Sequence, residues 1–167
     1  MFLGFVTLGE TFVPTFLTRS GDTPLNAASL PTFRIYGPDG LITSGTCSFK
    51  NSGSITGATN ANPIVITSTS HGLTNGTRVT ITGVGGNTAA NTTVAISNVT
   101  ASTFELTATA GNGSYTSGGT WNVSGLYKLS QAVTAGNTFE SGETYTILLS
   151  ATVNSAAWGQ IYTFGVV

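Results

Sequence analysis

The sequence predicts an all-β protein, and three observations carry that expectation. Threonine, valine, isoleucine and aromatic residues crowd a chain of 167 residues that also holds 22 glycines; such side chains suit a pleated, half-buried surface. Short alternations of apolar and polar residues recur, each bounded by Gly, Asn, Asp or Pro, as in strands joined by tight turns. Charge is scarce, at 7% of residues against roughly 25% in an ordinary soluble domain. Hydrophobic residues at 40% still supply a core, so this is not the composition of a disordered chain.

Taken in order, "GFVTLGETFVPTFLTR" reads as two extended stretches, with Pro14 marking an edge or bulge because it has no N–H to give to a ladder. "SGDTPLNAASLP" is a loop by content. "TFRIYGPDGLITSGTCSFK" reads strand, turn, strand. Phe33 and Ile35 alternate with Arg34 and Tyr36, while Gly37-Pro38-Asp39-Gly40 combines a preset φ at proline with a positive φ at glycine. Cys47 lies in the alternating run and is expected to act as a small buried hydrophobe. It is the only cysteine, which excludes an intramolecular disulfide and a cysteine-based metal site.

From residue 51 the composition shifts. Between residues 51 and 123 the charged side chains are Arg78 and Glu105, joined by His71, and threonine takes 17 positions. Strands are expected near Ile64–Ser68, Arg78–Thr82, Thr93–Val99, Thr103–Thr107 and Thr120–Val123. Turns are expected at Asn75-Gly76, Gly83–Asn87 and Ala110–Gly113. Short, evenly spaced strands of this kind build a small barrel or sandwich. After Ser124 aromatics and both signs of charge return. Tyr145, Ile147 and Leu149 mark one face of a strand, Asn154-Ser155 a turn, and Ile161–Val167 a final strand. Residues 1–50 plus 124–167 are therefore read as one discontinuous domain, with residues 51–123 inserted at a loop. Each part is small, so mutual packing or self-association is expected to add stability.

Composition also limits function. Five Lys and Arg residues, a net charge of −1 and no basic run cannot neutralise a line of phosphates, so no nucleic-acid partner is expected. No window reaches the roughly 18 apolar residues of a membrane span. "MFLGFVTLGE" lacks a basic n-region and is interrupted by Glu10, so it is not read as a signal peptide; folding in a cytoplasm is expected. A surface this poor in charge suits a protein packed against copies of itself or a partner.

No constellation of catalytic residues assembles. His71 precedes Gly72 in a turn, and a metal site would need further ligands where the inserted segment offers only Glu105. Glu140 and Glu143 flank Ser141-Gly142 as two sides of a turn, although paired carboxylates also serve glycosidases; Asp22 and Asp39 are turn residues. "GVGGN" (83–87) lacks the Lys-Ser/Thr and the helix of a phosphate loop. Asn75, Asn91, Asn98, Asn112 and Asn122 fit the glycosylation sequon, as composition alone would produce. No catalytic, cofactor-binding or metal residues are assigned, and the chain is read as no enzyme. The remaining candidates are aromatic: Trp158, read near a hairpin tip, as an interface anchor or a core cap, with Trp121 and Tyr115 as further interface or groove residues.

The run "NPIVITSTSHGLTNGTRVTITGV", the Gly-rich loop after it and "NVTASTFEL" resemble a module recurrent in bacteriophage virion proteins. That module is similar to the first-catalytic-cysteine half-domain of ubiquitin-activating enzymes. The resemblance covers roughly residues 54–123 and implies a small β-barrel; Cys47 lies outside it, so no catalytic role carries over. The flanks "FLGFVTLGETF", "LPTFRIYGPDGLITSGT" and "GLYKLSQAVTAGNTFESGETYTILLSATVNSAAWGQIYTFGVV" resemble small phage proteins of immunoglobulin-like β-sandwich type. Together these resemblances imply a tailed-phage virion protein assembled in the host bacterial cytoplasm. The expected role is capsid decoration (cement), with the sandwich docked on the major capsid protein and the barrel projecting, and with homo-oligomerisation. Tail, neck or fibre association and host-glycan adhesion are the alternatives.

Overall fold

The computed structural model describes residues 1–167. The protein is all-β, apart from two short 3-10 turns at Thr88–Ala90 and Ala135–Asn137. It divides into two compact units, Met1–Ser48 with Gly125–Val167, and Phe49–Ser124.

The first unit is of sandwich type. Its main sheet runs in the order Phe2–Val6, Ala156–Val166, Thr144–Val153, Thr32–Gly37, Gly40–Thr46. The central hairpin pairs Thr144 with Gly165 at one end and Val153 with Ala156 at the other. Asn154 and Ser155 close it, both at positive φ (49° and 63°), the requirement of the two-residue turn whose twist matches the flanking strands. Alternation decides which face is buried: Tyr145, Ile147, Leu149 and Val153 point into the core, whereas Thr144, Ser150 and Thr152 are exposed. The second hairpin joins Thr32–Gly37 to Gly40–Thr46 through Pro38-Asp39, with Gly40 at φ +119°.

Two features of this sheet differ from the sequence reading. The last strand begins at Ala156 rather than Ile161, because the ladder offered by Thr144–Val153 recruits "AAWGQ" although that stretch has no apolar period of its own. Trp158 is therefore inside a strand, opposite Ala151, and not at a hairpin tip. Phe2–Val6 joins the sheet parallel to the last strand, a pairing between the two ends of the chain that no local pattern encodes.

Beneath the sheet, Phe139, Tyr145 and Phe164 pack ring to ring at 4.8, 5.5 and 6.2 Å between centroids, and Phe12 adds a fourth ring 4.6 Å from Phe164. Aromatic pairs of this kind contribute about 0.5–1.5 kcal/mol each beyond the area they bury. Leu126–Lys128 pairs antiparallel with Thr15–Leu17, which carries Tyr127 into the core, where it stacks on Phe16. Pro14 sits in the break between Thr11–Phe12 and Thr15–Leu17, and its carbonyl accepts the Leu129 N–H at 3.1 Å. Cys47 is buried at 2% exposure.

The second unit is one curled, seven-stranded sheet: Gly57–Ala58, Ile64–Thr67, Thr103–Leu106, Thr93–Ser97, Arg78–Thr82, Thr120–Val123, Ser52–Ser54. Ile64, Ile66, Val79, Ile81, Ile96, Phe104 and Leu106 fill its concave side. The small β-barrel expected here is not a closed one. Both margins are served by successive pieces of the same segment: Ser52–Ser54 pairs with Thr120–Asn122, then Gly57–Ala58 pairs with Ile66–Thr67. The switch falls at Ile55 and Thr56, whose N–H groups donate to Gly119 and Thr67 carbonyls, each at 2.9 Å. Because one segment turns from one margin to the other, no strand-to-strand ladder closes the ring.

Candidate functional site

The inserted sequence raised one question of chemistry, whether His71 beside Arg78 forms a site. His71 is buried at 8% exposure. Its Nδ1 accepts the Leu73 N–H at 3.0 Å, so the neutral ring carries its proton on Nε2, which is buried with no partner. The ring meets Phe104 and Trp121 edge to face, at 5.3 and 6.4 Å between centroids, and those two rings meet each other at 6.4 Å. The histidine thus shapes a turn and caps an aromatic cluster. Arg78 reaches the Thr93 carbonyl through Nη2 at 3.3 Å, a bond within its own sheet. No group of three or more His, Cys, Asp or Glu side chains is placed to hold a metal ion.

Trp121, read as a candidate interface residue, is a core residue rather than a surface one. It is 3% exposed in the core of the second unit, and its Nε1–H donates to Ser68 Oγ at 2.8 Å, which in turn donates to the Ser54 carbonyl at 2.8 Å. Gly53 opposite has no Cβ, and one placed there would meet the indole at 2.9 Å, so the ring fits because its neighbour is glycine. Tyr115 is half-buried against the same core, with its hydroxyl directed at the carbonyls of Ile55 (3.2 Å) and Gly118 (3.1 Å). Trp158 belongs to the first unit and is half-buried, stacked on Phe16 at 5.7 Å and 21°.

Three amides of the Gly-rich loop are committed internally. Gly85 donates to the Ser117 carbonyl and accepts from Thr116, Val84 N–H is held by Asn91 Oδ1, and a Cβ at Gly86 would lie 1.9 Å from the Ser114 oxygen. The Val84, Gly85 and Asn87 N–H groups are thus spent within the loop. The sequon asparagines are likewise engaged. Asn91 and Asn75 accept N–H groups of Val84 and Val99, Asn112 joins Ala89 to Thr88, Asn98 reaches Glu105, and Asn122 donates to Val123. Asn87, fully buried, bridges Thr59 and Asn112. This loop-bracing role of asparagine was missed in the sequence; the clustering of Asn beside Gly at turns was the available signal.

In the first unit, Glu140 and Glu143 flank their turn as read, joined by a long contact from Glu143 N–H to the Glu140 carbonyl at 3.4 Å. With Asp39 they border a cleft of about 400 Å³. No buried cation or nucleophile accompanies them there. Burial pushes the Cys47 thiol up to about 11, the opposite of an activated nucleophile. A feature the sequence reading did not single out is the outer face of the main sheet, where Phe2, Phe5 and Ile161 are 51%, 70% and 61% exposed. The absence of charge from "FLGFV" and "AAWGQIYTFGV" was its signal.

Residues 61–123, inside the second unit, match the family model of the ubiquitin-activating enzyme E1 FCCH domain. The match covers less than half of the chain, and the matched segment contains no cysteine, so it assigns a module and carries no catalytic family to this protein. No curated protein matches the chain.

Proposed function

We propose that the chain is a non-enzymatic structural component of a tailed-phage virion, a decoration protein whose first unit docks on the major capsid protein and carries the second as an accessory module. The observation that carries this reading is the splicing of a recognisable module, residues 61–123, between two halves of a charge-poor β unit. The chemistry inside that module supports it: histidine, tryptophan and asparagine side chains that could have formed a site are spent on holding its own loops. A glycan-adhesion role for the module is disfavoured by the burial of Trp121. Tail or neck association remains the second reading, because the resemblance to virion modules does not distinguish shell from tail.

Copy number tests the assignment. Quantitative mass spectrometry of purified particles is expected to find this chain at hundreds of copies, as a shell lattice requires. A ring of about six to twelve copies, the product of cyclic symmetry, would move it to the neck or tail, and its absence from the particle would overturn the reading.

A further inference from the structure

We infer that the open margin of the main sheet at residues 156–160 receives an extended segment of a partner protein as an added strand, with an acidic side chain of that segment seated beside Trp158 and Arg19. The last strand, Ala156–Val166, is paired on one side with Thr144–Val153 from Ala156 to Gly165. On its other side Phe2–Val6 covers it only from Thr163 onward, and the Met1 ammonium reaches back to the Ile161 carbonyl at 3.3 Å. Residues 156–160 have no neighbouring strand on that side, and all but half-buried Trp158 are exposed. The direction of their backbone groups follows from the two-residue period of a strand. Thr163 donates its N–H to the Met1 carbonyl and the Ile161 carbonyl accepts the Met1 ammonium. Ala157 and Gly159, four and two residues before Ile161, therefore turn both N–H and C=O to the same open side. No strand of the fold pairs with these four groups.

Sheet margins left to water are ordinarily blunted by a charge, a proline, a bulge or a covering loop. The opposite margin, Gly40–Thr46, is broken by the unpaired residue Ile42. Residues 156–160 carry none of these devices, and Ala157 and Gly159 are too small to shield the backbone. Two observations choose the occupant. The first is length. Five residues at about 3.4 Å each are bounded by Met1 at one end and by the Asn154-Ser155 turn at the other. The same margin of a second copy does not fit, because its own Phe2–Val6 strand lies on the same line and runs into that turn; a single extended segment fits. The second is chemistry. Trp158 points to the core side of the sheet, where it stacks on Phe16. A side chain of the added strand level with Trp158 points the same way and enters the cleft of about 190 Å³ beside it, lined also by Arg19, Ser20 and Asn154. Asn154 Nδ2 donates to Ser20 Oγ at 3.2 Å, while exposed Arg19 has no carboxylate partner. Asp22, in the turn of the same short hairpin, lies outside the lining. A cleft with a guanidinium and no carboxylate selects an acidic side chain. Main-chain bonds supply the affinity of strand addition and alternate side chains its selectivity. The inference concerns peptide binding in solution and holds whether or not the chain is a virion component.

The test titrates the nitrogen-15-labelled full chain with capped peptides Ser-Thr-Val-X-Val-Thr-Ser, where X is Glu, Gln or Lys, followed by amide chemical shifts. The Glu peptide is expected to shift the Ala157 and Gly159 amides with a Kd on the order of 0.5 mM. The Gln and Lys peptides should bind about fivefold more weakly. Methylating the two Val nitrogens of the Glu peptide, which face the open margin when X is level with Trp158, should abolish binding. Arg19→Gln should reduce the Glu peptide to the level of the Gln peptide. Ala157→Pro removes an N–H that no strand of the fold uses, and should weaken all three peptides at least about tenfold with the far-ultraviolet circular dichroism spectrum kept. No shift at residues 156–160 with any peptide at about ten times that Kd overturns the inference. So does undiminished binding of the methylated peptide, or a Glu preference that survives Arg19→Gln.

Discussion

The indole N–H of Trp121 donates to the hydroxyl of Ser68 at 2.8 Å across the core of the second unit. This bond explains how a polar-edged ring is buried at 3% exposure in the core: its only side-chain donor is satisfied, and the accepting hydroxyl donates its own hydrogen bond to the Ser54 carbonyl. Trp121→Phe should retain most of the packing and cost about 1–2 kcal/mol for the lost bond and altered shape, whereas Trp121→Ala should cost about 3–5 kcal/mol. Urea unfolding followed by circular dichroism measures both. Equal, negligible effects would remove Trp121 from the core.

His71 supports the same cluster through packing and through the Leu73 N–H it accepts. His71→Ala is expected to destabilise the protein by about 2–4 kcal/mol, as for other large-to-small core changes. Zinc or a chelator should leave the wild-type melting temperature where it was. A melting temperature raised by zinc and lost in His71→Ala would restore a metal role.

Gly125 returns the chain to the first unit at φ +70°. Its N–H is held by Asn26 Oδ1 at 2.7 Å, and a Cβ would lie 2.4 Å from the Thr18 carbonyl oxygen. Gly125→Ala combines left-handed strain with a clash against backbone, and should cost at least about 2 kcal/mol in the same unfolding assay.

The turn Asn154-Ser155 offers the reverse case. Ser155 holds φ +63°, a conformation that strains an L side chain by about 1 kcal/mol. Ser155→Gly relieves this against a smaller gain in unfolded-chain freedom, for a net stabilisation of about 0.5 kcal/mol, visible as a higher urea midpoint.

Cys47 gives the pH dependence a sign. Burial raises its thiol from 9.0 to about 11. Between those values the unfolded chain has released the proton and the folded chain keeps it, so stability falls as pH rises through that window. Below it the contribution is constant. Burial also raises Tyr127, in the core, and Tyr162, which is half-buried, and both add to the alkaline loss, so the comparison is wild type against Cys47→Ala. The wild type should lose more stability between pH 9 and pH 11.

Much of the fold was legible because alternation and turn chemistry are local. "RVTIT" shows Val79 and Ile81 as its buried pair, and the strand has the expected bounds, Arg78–Thr82. Tyr145, Ile147 and Leu149 show their face just as directly. What escaped depends on partners distant in the chain. The parallel pairing of Phe2–Val6 with the last strand, the recruitment of "AAWGQ" into a ladder, and the change of partner at Ile55 and Thr56 have no period to read. Trp121, read from the sequence as an interface or groove residue, lies in the core; Ser68, which satisfies its N–H, is 53 residues away.

The measurement that bears most directly on the proposed role is a cryo-electron microscopy map of the intact particle. Density for this chain is expected at every equivalent shell position, with the strands of Met1–Ser48 and Gly125–Val167 against the major capsid protein. Fully built particles without such density, while the chain is abundant in the infected cell, would contradict it.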